Sequence, residues 1–205
     1  MKRLLAVLVS WVALAAPTLA ESDIRTEHAA DLTRVQAYLN NITTLVSDFS
    51  QIAPDGSLAT GKFYLKRPGK MRWQYNPPTP ILMVASGSEM VYYDYELQQV
   101  SHIPIDSTLA SFLAQDKINL FDPFITLTDF QAGEGMVRIS LTQSNKPEAG
   151  KLTLEFSDHP LHIRNMVVTD AQGQTTTVAL NNAQFGGELE NKLFVFVDPR
   201  KSGKR

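Results

Sequence analysis

The chain has 205 residues, no cysteine, and 19 Lys and Arg against 21 Asp and Glu, for a net charge of −2. Lack of cysteine removes disulfides, thiol catalysis and Cys-based metal sites, and the slight acidic excess gives no support to nucleic-acid binding. The first twenty residues read as a leader. Lys2 and Arg3 precede an apolar run, Leu4 to Ala16, that is short for a bilayer span, and Thr18-Leu19-Ala20 supplies small residues for a cleavage site. We expect a secretory signal peptide over 1–20, with a membrane anchor as the alternative, and one domain over 21–205. Removing the leader takes away two basic residues and no acidic one, so the net charge becomes −4. No cysteine follows the apolar run, so nothing there can be lipidated and the mature protein is expected to be freely soluble. A domain of this size buries roughly 70% of its unfolded surface.

In chain order, Ile24, Leu32, Val35 and Leu39 recur at helical spacing and predict an amphipathic helix from Ile24 to about Asn40. Thr43–Ile52 reads as a strand ending at Pro54-Asp55-Gly56. From Leu58 the alternation is strict: Ala59, Gly61, Phe63 and Leu65 point one way and Thr60, Lys62, Tyr64 and Lys66 the other. Pro68-Gly69 turns the chain, and Met71, Trp73 and Tyr75 resume the apolar face against Lys70, Arg72 and Gln74. Ile81–Ala85, apolar on both faces, and Met90–Tyr95 complete four antiparallel strands, and Gln98–Ile103 adds a short one. Then the pattern breaks. Asp106 or Ser107 caps a helix carrying Leu109, Ala110, Phe112, Leu113 and Ala114 on one side, and Ile118–Phe124 continues as an irregular apolar segment. Strands return at Ile125–Gln131, Met136–Thr142, Lys151–Phe156, Leu161–Thr169, Thr175–Gln184 and Leu193–Val197. About eleven strands with two helical pieces predict a large antiparallel sheet, strongly curved or nearly closed. The basic residues after Pro199 read as a solvated tail, or else as a contact for an anionic surface.

The sequence holds no catalytic constellation. His159 and His162 fall on opposite faces at a strand entry and do not share a metal. Ser86-Gly87-Ser88 lacks the frame of a nucleophile elbow, the acidic residues are scattered over turns, and Gly133-Glu134-Gly135 has no helix behind it to hold phosphate. No cofactor is expected, and the chain reads as a binding protein rather than an enzyme. Its surplus is apolar. Phe63, Met71, Trp73, Met83, Met90, Phe112 and Phe121 would line the space between sheet and helices, although each taken singly is better explained by plain core. The methionines suit changeable contacts.

Gly61-x-Phe63-x-Leu65-Lys66-Arg67-Pro68-x-x-Met71-x-Trp73, followed by Gly87 and Tyr92-Tyr93-Asp94, resembles the LolA family, periplasmic carriers of outer-membrane lipoproteins. The likeness runs more loosely through Phe49-x-Gln51 to Phe194-x-Phe196-x-x-Pro199. It implies a mainly β fold, an unclosed antiparallel β-barrel of about eleven strands with a lid of short α-helices over an apolar cavity. It also implies a monomer in the periplasm that takes acylated lipoproteins from an inner-membrane ABC transporter of the Lol type and passes them to an outer-membrane receptor, LolB. By the family pattern Arg67 latches the lid when the carrier is empty, and Leu109, Phe112, Leu113 and Phe121 belong to the lid or the cavity. Read without the resemblance, Arg67 is equally a solvated turn residue. The alternative function is a lipid-sensing regulatory module of the same fold. A lipid hydrolase would need a Ser/His/Asp arrangement that cannot be assembled.

Overall fold

The computed structural model describes residues 23–105 and 109–202, without the side chains of 109–111 and 202. The expected leader over 1–20, the helix cap at Asp106 or Ser107 and the end of the basic tail lie outside the described residues. Alternation of side chains becomes eleven strands: β1 (Thr44–Ile52), β2 (Leu58–Lys66), β3 (Lys70–Tyr75), β4 (Ile81–Ser86), β5 (Glu89–Asp94), β6 (Gln99–Pro104), β7 (Ile125–Gly133), β8 (Met136–Gln143), β9 (Gly150–Ser157), β10 (His162–Asp170) and β11 (Thr175–Phe185). They form one antiparallel sheet in the order β6-β5-β4-β3-β2-β1-β11-β10-β9-β8-β7. Two meanders are thus joined where the first strand pairs with the last, Phe49 opposite Leu180. β6 and β7 remain as the two edges, so the sheet is not closed into a barrel. Because β6 and β7 are also consecutive in sequence, residues 105–124 connect one edge to the other.

Leu45 and Phe49 of β1, Phe63 and Leu65 of β2, Met71 and Trp73 of β3, and Leu152, Leu154 and Phe156 of β9 are buried in one core. Helices α1 (Ile24–Glu27) and α2 (Ala29–Asn41) pack on it. Leu32, Val35 and Leu39 are fully buried, as one helix face demands. The single helix expected from Ile24 is broken at His28, whose backbone leaves the helical region (φ −113°, ψ 26°) while its ring stacks on Phe130 at 4.2 Å. The helix expected at Ser107–Ala114 is a tighter 3-10 turn over Leu109–Ala114.

One expected strand is absent. Leu193–Val197 forms a 3-10 turn, Asn191–Phe194, followed by chain outside any strand before a short helix α3 (Pro199–Ser202). Phe194 and Phe196 do alternate with exposed Val195 and Val197, which explains the strand-like signal. β11 already pairs with β1 and β10, so the segment instead lies on the outer face of the first meander. There Phe196 packs beside Tyr93 (5.5 Å between rings) and helps cover Leu82 and Val84, Arg72 Nη1 donates to the Leu193 carbonyl (3.2 Å), and Arg200 Nη1 donates to that of Gln98 (3.2 Å). This is how the doubly apolar β4 buries both its faces.

Gly61 sets the spacing at the centre of the sheet. A Cβ there would lie 2.2 Å from the Gln74 carbonyl oxygen and 2.6 Å from the Phe49 ring, so that ring lies over the bare glycine. Phe49 in turn meets Trp73 and Tyr75 edge-on at 5.1 and 5.0 Å. Gly61→Ala should lower stability by ~1–3 kcal/mol, because a backbone oxygen cannot move aside as a side chain can. An unchanged urea midpoint would show that β2 and β3 part easily at this point.

Candidate functional site

Between the concave face of the sheet and the 109–114 turn lies a cavity of about 310 Å³. Its wall is built by inward positions at period two: Gln51 of β1, Trp73 and Tyr75 of β3, Met83 of β4, Met90 of β5, Ile103 of β6, Leu152 of β9, Met166 and Val168 of β10, and Thr176 and Val178 of β11, with Leu113 from the cover. Both meanders contribute, so the sheet curls around this space. Three flexible methionines give the wall a shape that can change at low cost. The lining holds no acidic, basic or histidine side chain. Such a wall can shelter an apolar group.

Of the residues singled out from the sequence, Trp73, Met83, Met90 and Leu113 line the cavity. Phe63 and Met71 are fully buried in the core, Phe63 stacking flat on Trp73 at 4.1 Å. Phe112 is buried in the core, Phe121 is 37% exposed, and the Leu109 side chain lies outside the described residues. Gln51, Tyr75, Ile103 and the wall residues of β9, β10 and β11 were not singled out. The signal for them was present, since Met166 and Val168, like Thr176 and Val178, are two residues apart. What was missing was the β1–β11 pairing that brings them round to face Trp73.

The cover is held by side chains that bond its backbone. Arg67 Nε donates to the Leu113 carbonyl at 2.7 Å and Nη1 to the Leu39 carbonyl at 2.6 Å, so one guanidinium joins the 109–114 turn to the last turn of α2. Gly69 N–H donates to the Ala114 carbonyl beside it, at 2.8 Å. Helix C-termini are the negative ends of their dipoles and suit a cation. Among the described residues no carboxylate pairs with Arg67, and its buried Nη2 has no hydrogen-bond partner. Burial accordingly pulls its pKa down to about 10, which leaves it cationic at neutral pH.

The remainder of the cover, 115–124, is irregular, and α1 and α2 satisfy its polar groups. Asn40 Nδ2 donates to the Ile118 carbonyl (2.9 Å) and its Oδ1 accepts from the Ile118 N–H (2.8 Å). Gln36 Oε1 accepts from the Leu120 N–H at 2.8 Å. Arg25 donates through Nε to the Leu120 carbonyl (3.2 Å) and through Nη2 to that of Asp122 (2.9 Å), and also to that of Ile125. Ile118 and Leu120 are thereby fully buried although they lie in no helix or strand. In the cavity wall itself, Tyr75 Oη donates to Gln51 Oε1 at 2.7 Å, and burial pushes the phenol up to about 12.

The sequence matches the family described as outer membrane lipoprotein carrier protein LolA over residues 40–197. It is 32% identical to the outer-membrane lipoprotein carrier protein of Methylococcus capsulatus, covering 81% of this chain and 83% of that one. The protein of the same name from Pseudomonas aeruginosa is 27% identical, with coverage of 94% and 95%. Among solved structures, a DUF1329 family protein from Desulfovibrio piger superposes with a TM-score of 0.52 at 15% identity, covering 85% of this chain and 98% of its own. An uncharacterized conserved protein from Thermus thermophilus does so with a TM-score of 0.50 at 11% identity, covering 83% and 95%. At such identities the two structures share the fold alone.

Asn40→Ala should release the segment that its amide holds. Amide exchange at Ile118 and Leu120 is expected to quicken about tenfold, with a stability loss of ~1–3 kcal/mol from the buried groups left unsatisfied. Unaltered exchange there would mean that apolar packing alone holds the segment.

Proposed function

The chain belongs to the LolA family of outer-membrane lipoprotein carriers, and we propose that it binds the acyl chains of lipoproteins released from the inner membrane and carries them through the periplasm. The observation that carries this reading is the uncharged cavity under a cover held by polar bonds. Carriers of this family are chaperones rather than enzymes, and a wall made mainly of apolar side chains suits the sheltering of acyl chains. On this reading residues 1–20 direct secretion and are removed, and residues 21–205 act as a monomeric carrier. An inner-membrane ABC transporter of the Lol type loads it, and LolB, where present, receives the cargo.

The cavity volume constrains how such a carrier works. A liquid water molecule occupies about 30 Å³ and a methylene is of similar size, so 310 Å³ holds roughly ten of them. Three acyl chains carry on the order of 40, whose full burial at ~0.8 kcal/mol each would approach ~30 kcal/mol. Non-covalent affinities saturate near ~20 kcal/mol. The loaded state therefore needs a lifted cover and a spread wall, and it shelters the chains incompletely. The Arg67 bonds to Leu39 and Leu113 act as the latch of the empty state. The cost of desolvating an unpaired guanidinium offsets part of their strength and keeps the latch weak enough to open.

Native mass spectrometry of the protein taken from the periplasm tests the reading: a bound triacylated protein is expected, and free lipid alone would overturn it. The latch has its own test in Arg67→Leu. Losing charge-assisted bonds of ~1.5–3 kcal/mol should shift the cover toward open by roughly ten- to a hundredfold. Binding of an apolar dye to the empty protein should rise and transfer of lipoprotein to acceptor membranes should slow, with Arg67→Lys restoring little because it lacks the planar fork. Unchanged dye binding and transfer would reduce Arg67 to a turn residue.

A further inference from the structure

The cavity wall has one polar corner, and it has a direction. Gln51 is next to last in β1, Tyr75 ends β3 and Thr176 is second in β11, so all three lie at the end of the sheet opposite Arg67. Gln51 faces Val178 across the β1–β11 pair, and Thr176 is two residues from Val178 on the same face. Tyr75 and Phe49 both lie opposite Gly61, from β3 and β1, and the Phe49 ring over that glycine supports the Tyr75 ring edge-on. Tyr75 Oη donates to Gln51 Oε1, which leaves the amide Nε2 as the free end of that side chain. Among the described residues neither the Gln51 Nε2 nor the Thr176 hydroxyl has a hydrogen-bond partner, and both side chains border the cavity.

We propose that this corner is a recognition site for the neutral ester or amide carbonyls that join acyl chains to a lipidated cysteine. The assignment rests on the carrier reading and adds selectivity and orientation to it. A glutamine Nε2 and a hydroxyl place two donors at one corner of a mostly apolar wall, which suits a group that only accepts. An acyl chain placed without them would bury its carbonyl unpaired, at a cost that a hydrocarbon does not meet. The same wall holds no Lys, Arg or His to neutralise a carboxylate or phosphate. It therefore disfavours fatty-acid anions and phospholipid headgroups while accepting an uncharged acyl linkage. The tails then run toward Trp73, Met83 and Met90, and the polypeptide leaves past the β1–β2 and β10–β11 turns.

The test uses the mature carrier with three probes competing against an apolar dye: a synthetic triacylated cysteine peptide, a straight-chain hydrocarbon and palmitate. Wild type should bind the peptide and discriminate against palmitate. Gln51→Leu should weaken the peptide about tenfold, the worth of one buried hydrogen bond, and leave the hydrocarbon unchanged, which also reports an intact fold. Thr176→Val, on another strand, should act in the same direction, and Gln51→Lys should raise palmitate binding by supplying a cation. Equal losses for peptide and hydrocarbon, or no loss for either, would overturn the assignment while leaving the carrier reading in place. Failure of the wild type to bind the peptide at all would overturn both.

Discussion

The structure depends on a pairing between the two ends of the sheet. β1 pairs with β11, which joins two meanders into one sheet and leaves β6 and β7 as its edges. Those edges are neighbours in sequence. A short turn between them would have brought the sheet toward closure over a packed interior. Residues 109–124 of the connection instead lie over the sheet, with Leu113 facing the cavity and Ile118 and Leu120 buried in the core. Cavity and cover therefore share one topological origin. Edge strands are a hazard when long and exposed, and a connection passing between both edges is one way of managing that hazard.

The cover lacks regular secondary structure over much of its length, so its backbone groups must find partners elsewhere. They find them in a few long polar side chains: Arg25, Gln36 and Asn40 on one side and Arg67 on the other. A cover held this way differs from one held only by apolar packing. Each bond can be exchanged for one to water when the segment lifts, so opening costs a net hydrogen bond of ~0.5–1.5 kcal/mol at each point. Arg67 has a further property. With two carbonyls and, among the described residues, no carboxylate for partners, its bonds are set against its own desolvation.

Trp73, Phe63 and Phe49 form a rigid aromatic floor, while Met83, Met90 and Met166 form the adaptable part of the wall. The combination suits a ligand whose chains vary in length and number. Rings resist collapse of the empty space, and thioether side chains change rotamer to fill or vacate it. The Gln51–Tyr75 pair sits at the ends of β1 and β3, so this polarity is confined to one end of the sheet.

The local elements were legible in the sequence because their physics is local. Alternation along Ala59–Leu65 and Met71–Tyr75 sets which side chains face inward, and the spacing of Leu32, Val35 and Leu39 sets the buried helix face. Trp73, Met83 and Met90 followed from their places on the strands and their bulk, whereas Leu113 came from the expected helix and the family resemblance. Even the misleading signal at Leu193–Val197 was a true alternation, with Phe194 buried and Phe196 half-buried, on a segment that had no sheet partner. Tertiary structure alone decided the rest. The β1–β11 pairing joins segments more than a hundred residues apart, and no period in either one encodes it. The partners of Arg25, Asn40 and Arg67 are mainly backbone carbonyls, which every residue carries and which therefore leave no mark on the side-chain pattern. Gln51 and Thr176 read as ordinary polar strand residues until the curl of the sheet turned them into an apolar cavity. Periodicity specifies the face a side chain occupies, and only the meeting of distant strands specifies what that face encloses.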